Sequence, residues 1–301
     1  MRKVSSASIV NRKFLRRAPL PQPDRGGDKE ERGRVLVVGG GPETPGAVIL
    51  AANAALRAGA GKVQIATGRG NAPTVAASVP EARVFALPES RAGSLLKAAV
   101  AKLESHLAGA QAVCIGPGLI EDEAVARFAG AVLKRCRDVT VVMDAGALCC
   151  LARGRSLLHA FGGRAVITPN AEEMADIFGE DKDALARDPA PAALRAAREL
   201  RAVVVLKGRV TFIASPDGKL YENRAGNVGL ATSGSGDVLA GVIAGLAARG
   251  AEPLTAAAWG VHLHALAGER LAGRVGPLGY LARELPAEIP SLMRELGGGE
   301  S

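Results

Sequence analysis

The chain is poor in aromatic residues, has no long apolar run and carries no paired cysteine motif, and each absence excludes a class of protein. Aromatics make up 3% of its 301 residues, too few for the stacking platforms of a single-strand nucleic-acid binder. The formal charge of +8 is concentrated at one end. Residues 1–34 hold ten Lys/Arg against four Asp/Glu, which leaves only +2 for the rest. The body has no basic face, and no nucleic-acid partner is expected. No stretch of about 18 uninterrupted apolar residues occurs, so no membrane span is expected. Cysteines at 114, 136, 149 and 150 form no C-x-x-C and no framework spacing. That pattern argues against zinc and disulfides and points to reduced thiols in a cytoplasmic protein.

Several catalytic signatures are missing too. No G-x-x-x-x-G-K-[ST] is present, which excludes a P-loop, and no G-x-S-x-G supports a hydrolase. Gly39-Gly40-Gly41 invites a dinucleotide reading, but Thr44 occupies the third glycine position of G-x-G-x-x-G. The next strand ends Ile65-Ala66-Thr67, without a ribose-binding acid. His262 and His264 are spaced i,i+2 and point to different helix faces, so they cannot form the metal pair of H-E-x-x-H. They are expected to be packed or hydrogen-bonded core histidines.

From Arg34 onward, short β-branched runs alternate with Ala/Leu-rich segments. Strands are predicted at 35–38, 63–66, 112–115, 139–143, 165–168, 203–206 and 211–214, with a weaker one at 219–221. Helices are predicted at 45–58, 95–107, 124–136, 171–178, 191–201, 238–249, 254–271 and 279–289. Apolar strands separated by helices imply an α/β fold: a doubly wound, mostly parallel sheet with helices on both faces. The runs at 203–206 and 211–214 read as a hairpin at one sheet edge. Residues 1–34 mix Arg, Pro and Gly without helical periodicity and read as an extended arm. Asp24, Asp28, Glu30 and Glu31 weaken a transit-peptide reading. One domain is expected over 35–301.

Ligands gather beyond the C-terminal ends of strands in such sheets. The residues there are Gly39-Gly40-Gly41, Gly116-Pro117-Gly118, Asp144-Ala145-Gly146, Pro169-Asn170-Ala171-Glu172 and Lys207-Gly208, nearly all small or polar. The most informative stretch is 226–241, Gly-Asn-Val-Gly-Leu-Ala-Thr-Ser-Gly-Ser-Gly-Asp-Val-Leu-Ala-Gly. Its glycines free backbone N–H groups to face a guest, and the helix they open directs its positive end at the same spot, which makes an anion site. Asp237 beside it either takes a proton from a hydroxyl that attacks a phosphate or caps the helix starting near Val238. Asp144 either holds a Mg²⁺–water shell or caps the helix near Ala145. Lys207-Gly208-Arg209-Val210-Thr211 either brings a cation and backbone donors to a nucleotide phosphate or is a plain turn.

These pieces occur in an order that resembles the ADP/ATP-dependent NAD(P)H-hydrate dehydratases, the YjeF C-terminal or carbohydrate-kinase family of the ribokinase-like superfamily. The resemblance runs through Gly33-Arg-Val-Leu-Val-Val-Gly-Gly, Pro45-Gly-Ala-Val-Ile-Leu-Ala-Ala, Arg57-Ala-Gly-Ala-Gly-Lys-Val, Ile115-Gly-Pro-Gly-Leu, Asp144-Ala-Gly-Ala-Leu, Thr168-Pro-Asn, Leu206-Lys-Gly and Asn227-Val-Gly-Leu-Ala-Thr-Ser-Gly-Ser-Gly-Asp, and covers roughly residues 15–290. It implies metabolite repair, with hydrated NADH or NADPH (NADHX, NADPHX) as substrate, ADP or ATP as co-substrate and Mg²⁺ as cofactor. Carried over by position, it implies Asp237 as base with Gly234 and Gly236 as anion hole. Lys207, Gly208, Arg209, Val210, Thr211 and Gly236 would form the adenine-nucleotide site. Ala47, Gly118, Asn170 and Asp237 would form the hydrate site. A homo-oligomer is expected.

Two departures stand out. The family usually shows Thr-Pro-His-x-Gly-Glu where this chain has Thr168-Pro169-Asn170-Ala171-Glu172-Glu173; Asn keeps a donor and an acceptor but cannot become a cation. An epimerase domain is often fused upstream in the family, and the 34-residue arm is too short to hold one. The rival readings are a small-alcohol kinase of the thiamine-precursor type and a nucleotide-binding sensor without turnover.

Overall fold

Strands such as Val35–Val38 and Val203–Leu206 offer apolar side chains to both sides, so they are stable only with a layer on each face. The computed structural model, which describes residues 7–22, 26 and 28–297, builds that sandwich. Its strands are β1 (Ser8–Ile9), β2 (Arg34–Val38), β3 (Lys62–Gly68), β4 (Arg83–Leu87), β5 (Ala112–Ile115), β6 (Thr140–Met143), β7 (Ala165–Ile167), β8 (Val203–Leu206), β9 (Thr211–Ala214) and β10 (Leu220–Asn223). They form one sheet in the order β1-β10-β9-β8-β7-β6-β5-β2-β3-β4. Every neighbouring pair is parallel except the two that β9 makes, with β8 and β10.

Alternate side chains feed two separate cores. Val35, Val37, Cys114 and Val142 face one, and Leu36, Val38, Val113 and Met143 face the other. The first core is built on the helices Pro45–Arg57, Ser235–Ala248, Pro253–Arg274 and Leu285–Gly297. The Ser235–Ala248 helix is apolar all round because it lies between the sheet and two other helices, and every residue from Val238 to Ala248 is buried. Its Gly241 and Gly245 rest on the main chain of Pro45–Arg57. A Cβ on Gly241 would collide with the Ala51 carbonyl oxygen, and one on Gly245 would lie 2.5 Å from that of Ala55.

Several sequence expectations need correction. The hairpin of β8 and β9 is real, with Val204 opposite Ala214, but it is not the sheet edge, because β10 and β1 add beyond it. Strand β4 is not among the expected strands; it is an edge strand whose side chains are mostly exposed or half-buried, so it lacks a clear apolar period. The helix expected over 95–107 is a 3₁₀ turn, Lys97–Leu103, followed by a short α-helix, Glu104–Ala108. The one expected over 279–289 begins instead at Leu285, after a 3₁₀ turn at Ala282–Glu284.

The described part of the arm is packed rather than extended. Asn11 caps a helix at Arg12–Arg17, accepting the Phe14 N–H at 3.0 Å, and Leu15 is fully buried. Trp259 Nε1 donates to Ala18 O at 2.7 Å, and Arg249 donates to Pro21 O at 2.9 Å. Short helices of this kind draw their stability from such docking and not from propensity, which is why periodicity did not reveal it. Among the described residues no helix is long and apolar enough to cross a membrane.

Candidate active site

The parallel strands deliver their C-terminal ends to one rim of the sheet. After β6 comes Asp144, 2% exposed, whose Oδ1 accepts from Thr168 Oγ1 at 2.7 Å and from Lys207 Nζ at 2.9 Å. Thr168 follows β7 and Lys207 follows β8, so three consecutive strand ends converge on one carboxylate. The alternative that Asp144 caps the next turn is not what is seen, because it makes no side-chain cap bond there.

Glu173 joins the cluster from the helix Ala171–Phe178. One of its oxygens, Oε2, lies 3.5 Å from Lys207 Nζ and accepts the Asn170 N–H at 2.7 Å. Asn170 Oδ1 accepts the Glu173 N–H at 2.9 Å, completing a reciprocal capping box. Asn170 is exposed, and the bond it makes is the helix cap that its position after Pro169 allows. Glu173 is not among the site residues expected from the sequence, although an acid three residues after a cap is a visible signature.

The helix Ser235–Ala248 aims its N-terminus at this group. Gly234, its N-cap, has φ +86°, a left-handed conformation that costs glycine little. Gly236 faces the cluster: a Cβ there would sit 3.4 Å from Lys207 Nζ and 3.5 Å from Asp144 Oδ2. Asp237 lies in the first turn and is not the cap; the helix starts three residues earlier than expected, which removes the capping reading.

Charge in this cleft is unbalanced, with three carboxylates, Asp144, Glu173 and Asp237, sharing one ammonium. Burial and the Asp144 charge push Asp237 up to about 7, against the pull of Lys207. Burial likewise raises Glu173. Lys207, 22% exposed at its side chain, is pushed down by burial, but Asp144 and Glu173 outweigh that and hold it above the usual lysine value.

A second group of candidate residues lies beyond the ends of β2 and β5. Gly118 has φ +68°, and a Cβ on it would sit 2.8 Å from Ala47 Cβ, so these two candidate residues touch. Thr44 Oγ1 donates to Gly118 O at 2.9 Å, and Gly40 N–H donates to Pro117 O at 2.8 Å. Leu50, one turn beyond Ala47, packs against Gly234. The Pro45–Arg57 helix therefore connects this group to the anion loop. On the other side, Gly208, Arg209 and Val210 lead from Lys207 to Thr211, which pairs with Asn223 just before the loop begins; Arg209 is exposed and is not drawn into the cluster.

Both histidines are hydrogen-bonded core residues, as the spacing predicts. His262 Nδ1 pairs with Asn223 Oδ1 at 2.8 Å and His264 Nε2 with Ser235 Oγ at 3.0 Å.

Residues 35–291 match the family described as NAD(P)H-hydrate dehydratase. The chain is 49% identical over 288 residues to the ADP-dependent (S)-NAD(P)H-hydrate dehydratase of Xanthomonas campestris pv. campestris, covering 95% of this chain and 96% of that one. Its fold superposes with a TM-score of 0.84 on a ribokinase-like superfamily protein from Enterococcus faecalis, at 26% identity and 97% of both chains. It also superposes, at 0.79 and 29% identity over 97% of this chain and 99% of the other, on the ADP/ATP-dependent NAD(P)H-hydrate dehydratase of Bacillus subtilis co-crystallised with ATP and Mg²⁺.

Proposed function

Because the chain belongs to the NAD(P)H-hydrate dehydratase family, we propose that it returns hydrated NADH or NADPH to the reduced cofactor at the expense of ADP or ATP. The observation that carries this reading is Asp237. A carboxylate held near 7 beside a helix N-terminus suits a base that must be unprotonated at neutral pH and still strong enough to take a hydroxyl proton.

In the proposed sequence, Asp237 accepts the proton of the hydrate hydroxyl as its oxygen attacks the terminal phosphorus of the nucleotide. The backbone N–H groups at Gly234–Gly236 and the Lys207 ammonium receive the charge that builds on the phosphoryl oxygens. AMP or ADP leaves. The carbon–oxygen bond of the phosphoester then breaks, inorganic phosphate departs, and loss of a proton from the neighbouring ring carbon restores the double bond. Ala47 and Gly118 would bind the hydrated ring, and Lys207 to Thr211 the adenine nucleotide.

Among the described residues no three His, Cys, Asp or Glu side chains form a protein-only metal cage. Magnesium commonly uses one or two carboxylates with phosphates and retained waters, and the acid excess at Asp144 and Glu173 fits that mode. When bound, Mg²⁺ would supply charge neutralisation at the nucleotide phosphates.

The direct test mixes purified protein with hydrated NADH and either ADP or ATP. Recovery of absorbance at 340 nm with release of inorganic phosphate is expected. A stable phosphorylated hydrate with no recovery would convert the reading to a kinase.

Asn170 is proposed to use its amide N–H₂, the end its cap leaves free, on the hydrate. Asn170→Ala should lower the melting temperature by about 1–2 °C through loss of a cap worth about 1 kcal/mol, and also raise the hydrate KM several-fold. A lower melting temperature with unchanged KM would confine Asn170 to the cap.

A further inference from the structure

The anion loop is rich in glycine and has few side chains by which to hold its shape. Ser235 stands between Gly234 and Gly236, the two residues assigned to the anion hole, and is 5% exposed. Its backbone N–H donates to Thr232 O at 3.2 Å, while its hydroxyl points away from solvent to His264 Nε2 at 3.0 Å. His264, 8% exposed, lies on the long helix Pro253–Arg274. That helix also grips the start of the loop, where Glu269 Oε1 accepts the Gly226 N–H at 2.8 Å and His262 holds Asn223. Tyr280 OH donates to Asn227 Oδ1 at 2.8 Å one residue further along the loop.

We infer that His264 is a positioning residue of the transfer site: through Ser235 it fixes the first turn of the Ser235–Ala248 helix, and with it the direction of the Gly236 N–H and the Asp237 carboxylate. The glycines on both sides of Ser235 restrict the backbone little, so its side-chain anchor is what fixes the orientation there. Burial holds the ring neutral, down to about 4, and a neutral imidazole can donate to or accept from a hydroxyl in either tautomer. A misdirected donor weakens the developing charge of transfer more than it weakens resting nucleotide, because such stabilisation is sharply geometric.

This inference rests on the transfer reading above, and the assay separates the two. Wild-type protein that never restores 340 nm absorbance sinks that reading; variants that behave like an active wild type sink this one. Ser235→Ala and His264→Leu are each expected to lower kcat about tenfold per folded molecule, with nucleotide KM changed less than about threefold. The double variant should be no worse than the poorer single one, since both remove the same bond. His264→Gln, whose amide can occupy the Nε2 position, should recover at least half of wild-type kcat. Losses that multiply in the double variant, or a wild-type kcat in Ser235→Ala, would overturn the assignment. If His264→Leu does not fold, Ser235→Ala and His264→Gln still decide it.

Discussion

Asp237→Asn is expected to lower turnover by about 10²–10⁴-fold, the usual worth of a general base, with nucleotide affinity largely kept. The same change should stabilise the protein at alkaline pH. Folding raises the Asp237 pKa from 3.8 to about 7. Between those values the folded chain binds more protons than the unfolded one, so this residue makes stability fall as pH rises through that window. Asn has no such titration. The variant should therefore melt several degrees above the wild type at pH 8 and level with it near pH 4. Wild-type kcat/KM should rise about tenfold per unit below pH 7 and then flatten, and the rising limb should vanish in the variant. Retention of more than about a third of wild-type turnover would remove Asp237 as the base.

Lys207→Met is expected to lower turnover about 10²–10³-fold, the range found when one charged or polar partner of a transferred group is deleted. Methionine keeps the length of the stem and removes the charge. Asp144, Glu173 and Asp237 would then share a buried cleft with no cation, and Asp237 would hold its proton more tightly. Two readouts follow. Calorimetry should show weakened ADP and ATP binding, and the rising limb of the pH profile should move to higher pH. Unchanged affinity together with an unmoved limb would make Lys207 a structural ion pair alone.

The sheet and its helices are legible because the central strands β2, β3 and β5 to β8 are buried on both faces and so read as largely apolar runs. The exceptions follow the same logic. β4 is half-exposed, and the Arg12–Arg17 helix is stabilised by Trp259 and Arg249, more than 200 residues away in sequence. The anion loop was legible because glycine and a single acid stand out against an apolar helix. Its partners were not. That Lys207 meets Asp144 and Glu173, and that Ser235 meets His264, depends on three strand ends and two helices arriving at one place. Asp144 illustrates the limit: alone it reads equally as a cap, and only the Thr168 hydroxyl and the Lys207 ammonium, 24 and 63 residues away, settle its environment.

The glycine contact between the Pro45–Arg57 and Ser235–Ala248 helices has a thermodynamic consequence for ligand capture. Two helices touching main chain to main chain at Gly241 and Gly245 leave no layer of side chains that could slide or repack. The hydrogen-bonded amides of the buried stretch Val242–Ala248 should exchange with solvent only through global unfolding, and the donors at the helix head are carried on that rigid body. Their entropy of ordering is then lost once, during folding, and not again at each encounter with nucleotide. ADP should accordingly meet donors already in place, with a binding entropy free of the large unfavourable component that accompanies loop ordering.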